Sequence, residues 1–154
     1  MAESFDDFYR GHRDLAVRWA VALVGRRDIA EELAQDALAR TGQRLARLDE
    51  PAAYLRRSVV NACRSWHRSA DRERRRIGRA SAPVGGSSEV VSTASAEVLA
   101  ALRALPYPQR AAVVLRFWAD WSDADIADSL GCKPASVRVL VHRGITRLRE
   151  ELQP

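Results

Sequence analysis

Apolar residues recur along this chain at intervals of three and four, and no segment sustains the strict alternation of a half-buried strand. That periodicity predicts helices throughout and an all-α fold. Phe5, Phe8, Leu15, Trp19 and Leu23 mark a first helix, opened by Ser4 with Asp7 three residues on and broken at Gly25-Arg26-Arg27. Ile29, Leu33, Ala37 and Leu38 mark a second, for which Asp28 and Glu31 form the expected capping pair. Pro51 opens a third, with Leu55, Val59, Ala62, Cys63 and Trp66 on one arc and Arg56, Arg57, Asn61, Arg64, His67 and Arg68 on the other. The basic run SADRERRRIGR that follows extends this helix before it frays.

Helical patterning resumes at Ala96–Ala104, is interrupted at Leu105-Pro106-Tyr107-Pro108, and continues from Gln109 to Ala119. Ser122 with Asp125 then forms a capping box for a short helix that stops at Gly131, a residue suited to a left-handed C-terminal position. Cys132 and Lys133 make a tight connection, and Pro134 sits in the first turn of the next helix, where proline is best tolerated. The unit reads as a helix-turn-helix, in which Ala127 and Gly131 keep bulk low where the two helices cross.

On that last helix Val137, Leu140, Val141, Gly144, Ile145 and Leu148 gather on one arc. The other arc is cationic and free of carboxylates until Glu150. The second helix of such a unit enters the major groove with its N-terminal turns nearest the base edges, so Ser136, Arg138, Val139, His142 and Arg143 are the candidate DNA contacts. Arg138 and Arg143 suit guanine or phosphate, and Val139 suits a thymine methyl as readily as it suits an ordinary exposed valine position.

Between the two helical segments the composition changes. Ala80–Ser92 is small, glycine-containing and poor in charge, which reads as a flexible linker. The expected organisation is therefore a helical domain over 1–77, a linker over 78–94 and a second helical domain over 95–154. The full chain of 154 residues carries 25 Lys+Arg against 20 Asp+Glu, a net charge of +5, and Lys133 is its one lysine. The charge admits a polyanionic partner without requiring one. Two basic helical surfaces on a flexible tether imply contact with nucleic acid at two places, the first contact raising the effective concentration of the second.

Cys63 and Cys132 are far apart and the three histidines are scattered, which gives neither a zinc spacing nor a disulfide framework and fits a reducing cytoplasm. The N-terminal stretch lacks an apolar signal core, and no stretch approaches membrane-spanning length, so no membrane insertion is expected. No glycine loop for phosphate and no nucleophile with an identifiable base occurs, so neither enzymatic activity nor a cofactor is expected.

With both halves in view the sequence resembles an extracytoplasmic-function sigma factor of the sigma-70 family, the short type of the SigE-like subgroup with only the region 2 and region 4 domains. The segment from Ala30 to Arg40, AEELAQDALAR, resembles region 2.2; PAAYLRR from Pro51 with Val60-Asn61 resembles regions 2.3 and 2.4; ALPYPQRA from Ala104 resembles region 4.1; the helix-turn-helix corresponds to region 4.2. The resemblance implies binding to core RNA polymerase, direction of the enzyme to promoter DNA, and help in opening the −10 element. It implies docking of Glu31, Glu32, Gln35 and Asp36 on the clamp helices of the largest polymerase subunit. Glu32, Gln35 and Asp36, at i, i+3 and i+4, are physically suited to a basic partner; a metal is not expected there, since no third ligand converges. It implies contact of Tyr54, Arg57, Asn61, Arg64 and Arg68 with the −10 element, a ring and an amide for unpaired bases and arginines for phosphates. Tyr54 has a second reading, as a cover for the core beside Leu55. An anti-sigma factor that occludes the same faces is a further implied partner.

Most departures from the family pattern fall on the −35 side. Val139 and Leu140 stand where polar residues are common, Lys133 where a capping serine or threonine is usual, at a cost of about 1 kcal/mol to the helix start, and Ser65 replaces a frequent aspartate. The residues alone also admit a helix-turn-helix repressor or activator that binds duplex operator as a dimer, although the basic face of the third helix is too charged for the centre of a dimer interface.

Overall fold

The computed structural model describes residues 3–78 and 93–153, with side chains from residue 96 in the second segment. All described regular structure is helical: α1 (Phe5–Val24), α2 (Arg27–Arg44), a single 3-10 turn (Leu45–Arg47), α3 (Pro51–Ile77), α4 (Thr93–Arg103), α5 (Tyr107–Phe117), α6 (Asp123–Leu130) and α7 (Pro134–Leu152). The chain divides into two compact units, Met1–Gly86 and Ser87–Pro154. Of the expected linker over 78–94, residues 79–92 lie outside the described residues.

In the first unit α1, α2 and α3 pack pairwise into a three-helix bundle. Phe8, Leu23, Leu38, Leu55, Val59 and Cys63 are fully buried at its centre. Ala16, Ala20, Ala30, Ala34 and Ala37 are buried with them, and their small side chains let the helix backbones approach. Ser4 caps α1 by accepting the Asp7 N–H at 3.2 Å, and Gly25 ends it at φ 77° with its own N–H donating to Val21. Thr41, also fully buried, satisfies its hydroxyl by donating to the Ala37 carbonyl at 2.8 Å.

The start of α2 differs from expectation. Asp28 does not cap it: the helix begins at Arg27 behind an extended Arg26, with no side-chain cap. Starting two residues early places Asp28 inside the first turn, where Arg26 donates to its carboxylate at 2.8 Å and holds the Asp28 carboxyl below the usual range. Glu31 is likewise taken by Arg27, at 3.1 Å.

The buried arc of α3 is also wider than periodicity suggested. Val60 joins Leu55, Val59 and Cys63 in the core. His67, expected on the outer cationic arc, is half-buried, and its Nε2 donates across the bundle to the Leu23 carbonyl at 2.9 Å. Arg56 is half-buried beside it in projection, so it too leaves the outer face. The basic run does not fray: α3 continues to Ile77 and ends at Gly78, φ 72°, whose N–H returns to Arg74 and Arg75. At Cys63, burial pushes the thiol pKa up to about 12, and only the thiolate reacts. We therefore expect native protein to take up one equivalent of iodoacetamide, at half-exposed Cys132, and unfolded protein two. Mass spectrometry reads both, and early alkylation of Cys63 would contradict the packing.

In the second unit α7 packs mainly on α5, with α6 and α4 against its sides. Leu105, Leu115, Ile126 and Val137 are fully buried. The break between α4 and α5 is shorter than expected: Pro106 is the N-cap, and Tyr107 and Pro108 already belong to the first turn of α5. Arg110 is buried among these apolar residues. Its Nε donates to the Leu102 carbonyl at 2.9 Å, and one terminal nitrogen donates to Arg103 and Leu105 at 3.2 and 3.0 Å. The guanidinium thus closes the C-terminal end of α4, where exposed carbonyls favour a cation. Burial lowers its pKa, yet an arginine keeps its proton in proteins.

Candidate nucleic-acid interfaces

The helix-turn-helix forms as its local signals dictate. The Ser122 hydroxyl accepts the Asp125 N–H at 3.2 Å, and Gly131 adopts φ 70° with its N–H on the Ala127 carbonyl. The Cys132 N–H reaches the same carbonyl at 3.0 Å, which fixes the turn. Lys133 then begins α7 without a side-chain cap, and Pro134 occupies its first position. Val137 and Gly144 are the buried residues of α7, with Leu140, Val141, Ile145 and Leu148 half-buried around them. Gly144 sets the distance to α5. A Cβ there would lie 2.7 Å from Val113 Cγ2 and 3.2 Å from the Gln109 carbonyl oxygen, so α7 and α5 approach closely here.

Seated this way, α7 turns Ser136, Arg138, Val139, His142 and Arg143 to solvent on one contiguous face. The Arg138 side chain is 81% exposed and Val139 is 46% exposed. An acidic residue that the sequence reading did not single out stands beside this face. Asp123, in the first turn of α6, pairs with Arg116 of α5 and lies 3.6 Å from Arg138 Nε. That contact occupies the inner edge of the guanidinium and leaves its outer nitrogens for a ligand.

The second candidate surface lies on α3. Tyr54, Arg57, Asn61, Arg64 and Arg68 follow one another at alternating intervals of three and four, which places them in a single stripe along the helix. Arg57, Asn61 and Arg68 are exposed, and Tyr54 and Arg64 are half-buried. The Arg44 guanidinium stands 5.8 Å from the centre of the Tyr54 ring, a cation–π contact that steadies the ring. Asn61 opens into a groove between α2 and α3 whose walls include Asp36, Arg40, Ser58, Ser65 and Trp66. Arg40 and Trp66 bring to this groove the cation and the ring that the sequence pattern had not associated with Asn61.

The acidic residues of α2 separate into two kinds. Glu32, Gln35 and Asp36 are exposed on one face, with Asp36 at the lip of the same groove. Glu31, half-buried, is already paired with Arg27. Among the described residues no group of His, Cys, Asp and Glu is placed to hold a metal ion, and no helix is long and apolar enough to cross a membrane.

Comparison with known proteins matches residues 8–73 to the family described as Sigma-70 region 2 and residues 95–148 to Sigma-70, region 4. The chain is 32% identical over 153 residues to the RNA polymerase sigma-E factor of Streptomyces coelicolor, covering 96% of this chain and 85% of that one. It is 34% identical over 154 residues to the ECF RNA polymerase sigma factor SigM of Mycobacterium tuberculosis, covering 94% and 75%. Among solved structures, the sigma factor RpoE of Bartonella quintana, co-crystallised with the anti-sigma factor NepR, superimposes with a TM-score of 0.71 at 25% identity over 96% of each chain.

Proposed function

The chain belongs to the extracytoplasmic-function sigma factors of the sigma-70 family and is a transcription initiation factor; on that premise we propose which of its surfaces do which part of the work. Residues 1–77 form the module that binds core polymerase and the −10 element, 95–154 the module that binds the −35 element, and 78–94 the tether. The observation that carries this division is a pair of exposed cationic helix faces, one on α3 and one on α7, in two separate units.

On α7, Arg138 and Arg143 meet guanine edges or phosphates, Ser136 and His142 donate hydrogen bonds nearby, and Val139 packs on a thymine methyl. Asp123 holds Arg138 end-on toward the groove. On α3, Arg57, Arg64 and Arg68 follow phosphates of the opened strand while Asn61 hydrogen-bonds an unpaired base edge and Tyr54 offers its free face for stacking. Glu32, Gln35 and Asp36 dock on the basic clamp helices of the largest polymerase subunit, with Glu31 contributing least because Arg27 answers it. The protein works in the cytoplasm, by binding alone, with no reaction or cofactor of its own. An anti-sigma factor that covers the α2 and α7 faces holds it inactive. An autonomous dimeric repressor has no need of the region 2 module that residues 8–73 supply.

Open-complex formation by holoenzyme tests the assignment on α3. Asn61→Ala is expected to reduce heparin-resistant complexes about tenfold, the effect of one lost base contact of ~1–3 kcal/mol, and to relax preference at one −10 base while core binding is unchanged. Unaltered open complexes and base preference would remove Asn61 from the −10 site.

A further inference from the structure

Among the described residues three glycines lie inside helices, and two of them are explained by what they touch. A Cβ at Gly42 would strike the Phe5 ring, and one at Gly144 would strike Val113. Gly11, well inside α1, is different: it is exposed, and a Cβ there would meet nothing within 4 Å. Glycine weakens a helix interior relative to alanine, and nothing in the bundle calls for it here.

Around Gly11 the outer side of α1 carries a regular pattern. Asp7, Gly11, Asp14 and Arg18 recur at intervals of four, three and four, which sets them in one stripe opposite the buried Ala16, Ala20 and Leu23. Arg10 flanks the stripe on one side and Leu15 on the other. All six are exposed, Leu15 to 44%. Asp7, Arg10 and Arg18 form no ion pair with a described residue, and Asp14 has only a 3.5 Å contact to Arg13 while 88% of its side chain stays exposed. The charges alternate along the helix: negative at Asp7, positive at Arg10, negative at Asp14, positive at Arg18. Reversed end for end, such a series is its own complement.

We infer that the outer face of α1 docks a second copy of this chain, the two α1 helices crossing antiparallel about a two-fold axis close to His12. In that register Asp7 faces the second copy's Arg18 and Arg10 faces its Asp14, and each contact occurs twice because the interface is isologous. Gly11 supplies the recess at the centre: without a Cβ the backbones approach, and Leu15 of each copy packs over Gly11 of the other. The charge order selects this partner. A uniformly acidic or basic surface would meet like charge at half of the four charged positions, whereas an antiparallel copy meets opposite charge at all of them. With one apolar side chain from each copy, and surface ion pairs that are individually weak, the contact is transient, with a dissociation constant on the order of 10 µM. It uses none of the residues assigned to promoter or polymerase.

Sedimentation equilibrium of the full chain, at concentrations from well below to well above that constant, tests the contact. Wild type should pass from monomer to dimer, and added salt should return it to monomer. Asp7→Arg and Arg18→Asp, each alone, set like charges opposite one another twice and should weaken association at least about thirtyfold. Mixed, the two variants are complementary and should form a one-to-one heterodimer; combined in one chain, Asp7→Arg/Arg18→Asp should restore the homodimer. Gly11→Leu should abolish association while raising the melting midpoint of the monomer, since leucine is the better helix former, which separates a filled recess from a damaged fold. Wild type that stays monomeric at every concentration, dimers indifferent to the single reversals, or mixed variants that fail to pair would each overturn the inference. So would loss of core-polymerase affinity in the single reversals without loss of self-association, which would make this face part of the polymerase contact.

Discussion

Glu32→Arg combined with Asp36→Arg is expected to abolish transcription by lowering affinity for core polymerase two to three orders of magnitude. Both carboxylates are exposed on one face of α2, one helical turn apart, and neither forms an ion pair with a described residue. Reversal places two cations against a basic partner, and like-charge juxtaposition costs several kcal/mol, at about 1.4 kcal/mol per decade of affinity. The bundle should survive, because these positions lie opposite the buried Ala30, Ala34, Ala37 and Leu38. Glu31→Gln provides the contrast: its carboxylate is spent on Arg27, so core affinity should change by no more than a few-fold. Fluorescence-anisotropy titration of labelled protein with core enzyme measures both, and circular dichroism verifies the fold. Tight binding by the double variant, or an equal loss in Glu31→Gln, would move the docking surface elsewhere.

The contrast between Glu31 and Glu32 shows where sequence reading succeeds and where it stops. Signals confined to a few consecutive residues were legible. Ser4 with Asp7, Ser122 with Asp125, the left-handed Gly25 and Gly131, and Pro51 and Pro134 in first turns all act within one helical turn, and each element edge stands where they place it. The burial of Val137 and Gly144 followed from periodicity for the same reason. Asp28 misled because two local signals competed, a capping box and an adjacent arginine able to bind the same carboxylate, and the ion pair with Arg26 prevailed. His67 misled because its partner, the Leu23 carbonyl, lies 44 residues away in sequence and on another helix. The groove that unites Asp36, Arg40, Asn61 and Trp66 depends on how α2 and α3 are set against each other, which no single-helix pattern encodes.

Of the residues to which sequence alone gave no role, Arg110 should show the largest effect on stability when changed. Within the segment ALPYPQRA it looks like any other arginine, and the clue to its burial is its place at the head of the apolar run Ala111–Leu115. Truncation to Ala removes three hydrogen bonds from a charged donor to the Leu102, Arg103 and Leu105 carbonyls and strands acceptors where α4 turns into α5. Leaving such groups unsatisfied costs ~1–3 kcal/mol each, and partial access of water to the widened site brings the expected total to about 3 kcal/mol. A unit of about 60 residues has only ~3–9 kcal/mol to lose at 0.05–0.15 kcal/mol per residue. Arg110→Ala should therefore populate an unfolded second unit near physiological temperature, while the α1–α3 bundle, which shares none of these contacts, keeps its helicity. Arg110→Lys retains the charge but not the fork that reaches three carbonyls, so its loss should be smaller. Thermal denaturation followed by circular dichroism registers the loss of helix, and amide exchange resolves the two units separately. The functional consequence is specific: −35-dependent promoters should lose activity, while binding of core polymerase through α2 persists. Wild-type exchange protection throughout α4–α7 in Arg110→Ala would show that the buried guanidinium does not hold that unit together.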